Sequence, residues 1–546
     1  MADRYWVLGT GTWDSTTTTN WSASSGGAGG ASVPTASDNV FFDANSNVGV
    51  TAFTVTMANS TRVCNDFLAS GLDGVMTLAG TSIGLTVSGS LTFPATNFTR
   101  TYDGTTTFNA TTTGKTITTN GVSLSGGIYF NGAGGAWTLN SALSTISTLQ
   151  LDRGTVNLNN LTLTAFSFTS STSTTRQIAF ATTGSLSLTG TGNVIANTTS
   201  ISFTVTGTPN VYVTSTGSST INIRTTSSSP LFNLFFTGGT YVLRLYESIN
   251  QGSYNSLDFT GFAGTLTNSG GGYLSGDLKL STGMTYTAQA TAIQFVRTSG
   301  TQTITSNAKT LNQSITVAGG TFATVTLADN LTLGSSALAT LTTGKLNLAG
   351  FTLTCPTTFQ TDTGTKNLTF NGGTIVCSAA SATAFNNATP TGFTTTAGTG
   401  TGTISMTAAT AKTFVGGGST FNCTINQGGA GALTITGSNT FSNITNTVQP
   451  ASVLFTAGTT NTFTSFSLSG TLGNLITIGS VTAASHTLSK ASGTVSSNYL
   501  SISRSTATGG ASWQAYTTNG NVDGGNNSGW LFSPPPPSTG NFLMFF

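Results

Sequence analysis

A repeat of 22 residues near position 350 constrains the fold of this chain more than any other feature. Four apolar positions recur at that interval: Leu346, Leu348, Leu353 and Cys355 are followed by Leu368, Phe370, Ile375 and Cys377. Each copy shows the period-2 alternation of a β-strand. Repeats of about 20–25 residues are typical of solenoids, in which a residue one period later lies above its equivalent, ~4.8 Å away.

The repeat continues on both sides of this pair. VTLADNLTL (325–333) precedes LNLAGFTLT (346–354), and GTVNLNNLTLT (154–164) is a near copy of GKLNLAGFTLT (344–354). One coil of short strands cannot bury its inward face alone, so coils stack. We therefore predict an all-β fold, a single-chain parallel β-helix (β-solenoid) with about 20–25 residues per coil over residues 45–510. A series of β-sandwiches is the alternative, and it would need hairpin turns at a regular rhythm.

Composition supports strands and excludes several classes of partner. Only 5% of the 546 residues are charged, and the net charge is +2. Helix surfaces and nucleic-acid sites both need clustered charges, so we expect few helices and no nucleic-acid partner. No apolar run approaches the ~20 residues of a membrane-spanning helix. The first residues lack the pattern of a secretory signal, so we expect synthesis in a cytoplasm.

The cysteine spacing predicts a column of thiols in the core. Cys355 and Cys377 would stack one coil apart, and Cys423, 46 residues after Cys377, would continue the column about two coils later. A disulfide between the first two is geometrically possible. Buried reduced thiols are favoured, because free cysteine packs well in cores. No C-x-x-C pair suggests zinc, and we expect neither a metal nor another cofactor.

The two ends depart from the repeat. Residues 1–44 hold Trp6, Trp13 and Trp21, which we interpret as an aromatic cap on the first coil, with a carbohydrate-stacking platform as the alternative. Residues 511–533 read as a second cap. A Pro-rich linker and an apolar tail follow at 534–546, and its last five residues are expected to dock on a partner: Phe542, Leu543, Met544, Phe545 and Phe546.

Several motifs resemble a known group of proteins. The opening W-x-x-G-x-G-T-W…N-W-S…V-P…D-N-V-x-F-D resembles the N-terminal unit of β-solenoid adhesins and of large structural proteins of tailed bacteriophages. GTLGNLITI (470–478), HTLSKASGTVSSNYLSI (486–502) and ATGGASWQAY…VDGGNNSGWLF (507–532) are similar to the C-terminal part of repetitive phage virion proteins. The resemblance implies a β-helical fibre, tail or decoration protein, and it transfers no catalytic residue.

Catalysis has weak candidates only. Glycoside hydrolysis needs two carboxylates about 5–9.5 Å apart. Asp258 and Asp277 lie 19 residues apart, roughly one coil, and Glu247 is nearby in sequence. Each aspartate more often caps a turn at such a position. The lone histidine, His486, is interpreted as structural, and three close charge pairs as surface ion pairs: Arg62 with Asp66, Arg100 with Asp103, and Asp152 with Arg153.

These observations together predict a role rather than a reaction. We expect a non-enzymatic structural protein of a tailed-phage virion, as fibre, tail or capsid-decoration component, with adhesion to host-surface glycans as a further role. Its partners would be other virion proteins of the capsid or tail, a glycan, and, in a homotrimer, its own copies. A polysaccharide depolymerase and a bacterial surface adhesin are the alternatives.

Overall fold

The computed structural model describes residues 1–47, 49, 51–197, 201–225, 232–246, 252–267, 272–289, 291–379 and 383–536. The chain divides into two compact units, Met1–Thr287 and Ala288–Phe546. Both are built almost entirely of short strands, and parallel sheets stack as a β-solenoid of about 20 turns in total. The predicted fold class is confirmed, and the division near residue 287 has no marker in the sequence pattern.

The first unit contains one short 3-10 helix, Ala44–Asn47, and 32 strands within its described residues. In chain order the strands are Asp3–Trp6, Gly11–Trp13, Trp21–Ser22, Asn39–Phe42, Ala52–Met57, Arg62–Cys64, Phe67–Ala69, Val75–Ala79, Leu85–Val87, Leu91–Thr92, Phe98–Arg100, Thr106–Phe108, Lys115–Thr118, Ile128–Leu139, Leu143–Ser144, Thr148–Asn157, Thr162–Ala165, Ser167–Thr169, Arg176–Ala179, Ser185–Leu188, Gly192–Ala196, Phe203–Thr206, Asn210–Val213, Ile221–Arg224, Asn233–Phe236, Val242–Tyr246, Gly252–Tyr254, Ser256–Asp258, Thr265–Thr267, Gly272–Leu274, Leu278–Lys279 and Thr285–Tyr286.

The second unit contains the 3-10 helix Thr517–Asn519 and 28 strands within its described residues. In chain order the strands are Ile293–Phe295, Ser299–Thr305, Thr310–Leu311, Ile315–Ala318, Phe322–Leu327, Leu331–Leu333, Ala339–Asn347, Thr352–Cys355, Phe359–Thr361, Lys366–Thr369, Thr374–Cys377, Thr383–Asn386, Phe393–Thr396, Gly402–Met406, Lys412–Val415, Thr420–Gln427, Leu433–Thr436, Thr440–Asn446, Ala451–Phe455, Thr460–Ser467, Ile476–Ser480, His486–Ser489, Thr494–Ser496, Leu500–Ile502, Ser505–Thr508, Ser512–Gln514, Val522–Asp523 and Trp530–Leu531.

The predicted register is confirmed around the sequence repeat. Leu346 pairs in parallel with Val325 on one side and with Leu368 on the other. Leu353 pairs with Ile375 in the same way. The sandwich alternative is therefore wrong for these coils, because its strands would pair antiparallel with neighbours in sequence. Parallel strands arise here because the backbone returns to one face once per coil.

Alternating burial places the core inside each coil. In Thr352–Cys355 the leucine and the cysteine are buried, whereas both threonines are partly exposed. The outward threonines suit strands because β-branched side chains fit a pleated surface. Inward aromatic rings stack between coils, as in Phe385, which lies 5.2 Å from Phe359 and 4.6 Å from Phe414 between ring centroids. Apolar columns of this kind carry the stability of stacked repeats.

Many coil corners are two-residue turns with left-handed backbone at both positions. Ala349 and Gly350 have φ of 52° and 90°, and the Phe351 amide donates to the Leu348 carbonyl at 2.8 Å. This is the type I′ geometry that usually closes a hairpin. Here it turns the chain from one face of a coil to the next. The same paired conformation occurs at Asn120–Gly121, Asn159–Asn160, Asn307–Ala308 and Asn371–Gly372.

Both predicted caps are paired into the ladders. Asp3–Trp6 pairs antiparallel with Trp21–Ser22 and parallel with Asn39–Phe42, which pairs in turn with Phe67–Ala69. Near the other end, Ser512–Gln514 pairs in parallel on both of its sides, with Trp530–Leu531 as its later neighbour. The segment 511–533 thus continues the solenoid instead of forming a separate structure.

Candidate functional site

The two candidate catalytic aspartates lie on neighbouring coils, and the carboxylate of Asp258 is held in structural contacts. Asp258 pairs in register with Lys279, and its Oδ2 lies 3.8 Å from the Lys279 Nζ. Its Oδ1 accepts a hydrogen bond from the Thr260 amide at 2.8 Å, the turn-capping role weighed above. Asp277 precedes the paired lysine by two residues, and its amide donates to the Ser256 hydroxyl. Glu247, the third candidate, lies outside the described residues.

The N-terminal tryptophans are buried against one another. Trp6, Trp13 and Trp21 are each at most 1% exposed, and Trp21 meets the other two edge-on at 5.1 and 5.3 Å between centroids. A sugar needs an exposed ring face, so the alternative of a carbohydrate platform on these rings is wrong. Their position under the first coils agrees with a cap. The proposed docking tail, Phe542, Leu543, Met544, Phe545 and Phe546, lies outside the described residues.

The cysteine column is shorter than predicted. Cys355 pairs in register with Cys377, and both thiols are free and fully buried. The next residue in the column is Met406, on Gly402–Met406. Cys423 lies on the strand after that and pairs with Gly402, so the predicted place of Cys423 in the column is wrong. Coils of unequal length between 377 and 423 shift the register. Burial raises the pKa of Cys377 to about 12, which leaves the thiol unreactive.

The predicted surface ion pairs are not formed. Arg62 is buried and donates to the Ser60 carbonyl at 2.8 Å, while Asp66 accepts from the Ser90 amide. Arg100 donates to the Ser123 carbonyl and lies 3.8 Å above the Tyr102 ring. Within the part of the chain that the structure describes, the single ion pair is Lys279 with Asp258. Backbone carbonyls at coil corners therefore replace carboxylates as partners of the basic groups.

Two buried lysines show the same principle in the second unit. The Lys412 Nζ, on a residue 1% exposed, donates to the carbonyls of Ala408, Gly429 and Gly431 at 2.9, 3.2 and 2.7 Å. Desolvation lowers the pKa of Lys412 to about 8. Lys366 likewise donates to three carbonyls. Each lysine is the first residue of a strand. Its ammonium donates to backbone carbonyls at coil corners, where the β-ladder supplies no partner. In the sequence, each lysine is marked only by the apolar residue that follows it on the strand. Exposed lysines occur in the same pattern, so the sequence does not distinguish a buried lysine from an exposed one.

His486 is buried as well and cannot reach a substrate. Its Nδ1 lies 2.9 Å from the Ser480 hydroxyl, its ring stacks on Phe455, and its Nε2 has no hydrogen-bond partner among the described residues. The side chain is 0% exposed, and desolvation lowers the pKa of His486 to about 4. The structural interpretation of this histidine fits that environment.

A surface concavity lies in the first unit, where coils of unequal length meet. We call it the corner groove; it has a volume of about 860 Å³. Its lining residues are Thr113, Ala133, Gly134, Gly135, Ala136, Arg153, Gly154, Thr155, Ser173, Thr174, Thr175, Arg176, Gln177 and Thr204. A volume of this size falls in the range of small-molecule sites, ~300–1,000 Å³. Sequence reasoning did not single out any of these residues as a site.

One wall of the corner groove is a glycine-rich bulge. In the ladder between Ile128–Leu139 and Thr148–Asn157, Asn131 pairs with Arg153 and Ala136 pairs with Thr155. The residues 132–135 therefore stand opposite Gly154 alone, and the extra backbone protrudes. Gly154 has φ of +83°, and a Cβ there would lie 2.7 Å from the Gly132 carbonyl oxygen. Only glycine lets the two coils approach this closely.

The opposite wall is a hydroxyl-rich loop on the next coil. Thr169 pairs with Gln150 and Arg176 pairs with Gly154, so residues 170–175 stand opposite 151–153 and protrude as well. The Ser170 hydroxyl donates to the Leu151 carbonyl at 2.8 Å, and the Thr172 hydroxyl donates to the Asp152 carbonyl at 3.0 Å. These bonds hold the loop upright beside the short coil that forms the floor.

Arg176 fixes this loop from beneath. Its guanidinium, on a residue 1% exposed, donates to the Ser170 hydroxyl at 2.5 Å and to the carbonyls of Thr174 and Ile201 at 2.9 Å each. Both ends of the loop and the following coil are thereby tied to one side chain. Arg176 is thus a positioning residue of the wall, and the concavity is preformed.

Comparison with known proteins adds no identity to this architecture. Neither the protein-family models, nor the curated proteins, nor the solved structures contain a match to the chain. In the described ranges, no cluster of three or more His, Cys, Asp or Glu residues has the arrangement of a metal site. No helix there has the length and apolar character needed to cross a bilayer.

Proposed function

We propose that this chain is a rigid structural protein of a tailed-phage virion, in a fibre, tail or capsid-decoration position, whose outer faces contact host glycans or neighbouring coat proteins. The observation that carries the proposal is the outward face of the stacked coils, which repeats neutral polar groups. Thr301, Thr324, Asn367 and Thr394 belong to one such column across five strands, in which Lys345 is the single charged member.

The polar groups of this face are ordered by one another. The Asn367 amide donates to the hydroxyls of Thr394 and Thr396 at 2.9 and 3.1 Å, and the Thr369 hydroxyl donates to the Asn367 Oδ1 at 2.7 Å. Ordered hydroxyls and amides lose little entropy on binding a partner. A stack of parallel coils gives such groups a fixed spacing, which suits a repetitive ligand or a repetitive lattice of coat proteins.

Particle composition tests the structural role. Purified virions from infected cells should contain the chain, and deletion of residues 541–546 should abolish its incorporation, because the apolar tail is the proposed docking element. Leu472→Ser is the matched control, since Leu472 is an apolar side chain 82% exposed elsewhere on the surface. Normal incorporation of the deletion variant would remove the docking role, and absence of the full chain from particles would remove the virion role.

A polysaccharide depolymerase remains the second hypothesis and has a direct test. Release of reducing sugar from host envelopes should be equal for the wild type and for Asp258→Asn and Asp277→Asn if the chain is not an enzyme. Release that both substitutions abolish would replace the structural proposal with a catalytic one.

A further inference from the structure

The corner groove has the shape of a site for an extended ligand. Ala136, Thr155, Gln177 and Thr204 follow one another in register across four strands along it. Three strand spacings of ~4.8 Å make this row about 14 Å long. The two protruding loops bound it on the sides. An occupant that fills this row is therefore elongated and lies across the strands.

The lining excludes several kinds of occupant. Apart from alanine and glycine, the described lining consists of threonine, serine, glutamine and arginine, which gives an apolar ligand no anchoring pocket. Three of the four strands beneath, Ile128–Leu139, Thr148–Asn157 and Arg176–Ala179, are paired on both sides, so an extended peptide finds no open edge to join along them. Nucleic acid needs several clustered cations, and one exposed arginine lies here. Hydroxyl and amide groups at regular spacing match a chain of sugars.

Arg153 adds a charge requirement. Its side chain is exposed on the groove, and its guanidinium makes no hydrogen bond or ion pair within the described residues. The neighbouring carboxylate of Asp152 is engaged elsewhere: its Oδ2 accepts from the Tyr129 hydroxyl and from the Gln150 amide, at 2.8 Å each. None of the described lining residues is acidic. An unpaired guanidinium beside neutral donors recognises a carboxylate through charge-assisted hydrogen bonds.

We propose that the corner groove binds an acidic oligosaccharide, with a sugar carboxylate on Arg153 and sugar hydroxyls on Thr155, Gln177 and Thr204. This inference deepens the adhesive part of the proposed function and rests on it. Arg176 acts as a positioning residue that holds the wall, and Arg153 contacts the ligand. The arrangement assigns the chain a receptor class: acidic glycans that place at least one sugar carboxylate within the length of the groove.

Calorimetric titration of the purified full chain tests this assignment with one sugar backbone in two charge states. The probes are tetragalacturonic acid and its fully methyl-esterified form. We expect the acid to bind roughly tenfold more tightly than the ester, the order expected for one charge-assisted contact. Arg153→Gln should reduce the affinity for the acid to that for the ester. The matched control is Arg297→Gln, an exposed arginine of the other unit that lies outside the polar column and the groove, which should bind both probes as the wild type does.

Each other outcome overturns the proposal. Equal binding of acid and ester, undiminished binding by Arg153→Gln, or no binding of the acid would each contradict it. Inorganic phosphate that displaces the acid at equal concentration would show a simple anion site and overturn the glycan assignment. The titration is independent of virion incorporation: a chain that binds the acid but is absent from particles fails only in its proposed location, and a particle protein that binds no acid fails only here.

Discussion

The coils at 325–377 and the coils at 128–206 are built on the same kind of parallel ladder, but they differ in how constant the number of residues per coil is. In the first region Val325, Leu346 and Leu368 stack at nearly constant intervals, and the surface is a regular polar face. In the second region the loops 132–135 and 170–175 contain more residues than the part of the middle coil that they face, and they protrude on either side of it. The corner groove lies between them. Even coils provide stability and repetition, whereas uneven coils provide a concave site.

The largest expected effect comes from the even region. Leu368→Ala removes a fully buried side chain from an apolar column, and it should lower the free energy of unfolding by about 2–5 kcal/mol. Thr369→Ala, on the same strand but facing outward, should change it by less than about 1 kcal/mol. Denaturant unfolding with hydrogen exchange in Lys366–Thr369 measures both. Similar losses for the two variants would mean that the column is not the source of stability.

Arg176 should give the largest effect in the uneven region. Arg176→Met leaves the carbonyls of Thr174 and Ile201 without this donor, and it should cost roughly 1–3 kcal/mol, with faster hydrogen exchange in residues 170–175. Arg153→Met, on the same groove but exposed, should stay within about 0.5 kcal/mol of the wild type.

A loss of stability in Arg176→Met without faster exchange in the loop would contradict its positioning role. A loss as large in Arg153→Met would show that both arginines serve the fold, and the distinction drawn between them would be wrong.

The sequence predicted the even region far better than the uneven one. Leu346, Leu353 and Cys355 carry the period, because inward apolar residues must recur wherever the backbone returns. The groove depends on how many residues separate two ladder contacts, and neither Gly154 nor Arg176 has a local pattern that reveals its partner coil. Arg62 and Lys412 were hidden for a related reason: their partners are backbone carbonyls, which every residue has.

Lowering the pH should destabilise the second unit, which holds the sole histidine of the chain. The folded-state pKa of His486 is about 4, below the ordinary value of 6.5, so between these values the unfolded state binds more protons than the native state. Stability contributed by the neutral ring is complete above pH 6.5 and is lost as the pH falls towards 4. The slope for one proton is at most about 1.4 kcal/mol per pH unit.

Denaturant unfolding between pH 4 and pH 7 measures this dependence, followed by hydrogen exchange in His486–Ser489. His486→Gln should flatten the dependence, because glutamine keeps a polar group near Ser480 without a titrating proton. An unchanged slope in that variant would assign the acid sensitivity to other groups. An equal loss of hydrogen-exchange protection in the first unit would contradict the prediction that the acid effect is restricted to the coils around His486.

We expect the smallest effect from exchanging alanine and asparagine between two corners that have nearly the same backbone conformation. Asn159–Asn160 and Ala349–Gly350 both have left-handed backbone, with φ of 51° at Asn159 and 52° at Ala349. Alanine disfavours this conformation more than asparagine does. The Asn159 side-chain amide also donates to the Leu139 carbonyl of the preceding coil at 3.1 Å, a bond that alanine would lose. Ala349→Asn should therefore raise the free energy of unfolding by roughly 0.5–1 kcal/mol, and Asn159→Ala should lower it by a similar amount. Thermal unfolding of both variants measures the pair, and two changes of the same sign would show that these corners, despite their shared backbone, are not equivalent in the two regions.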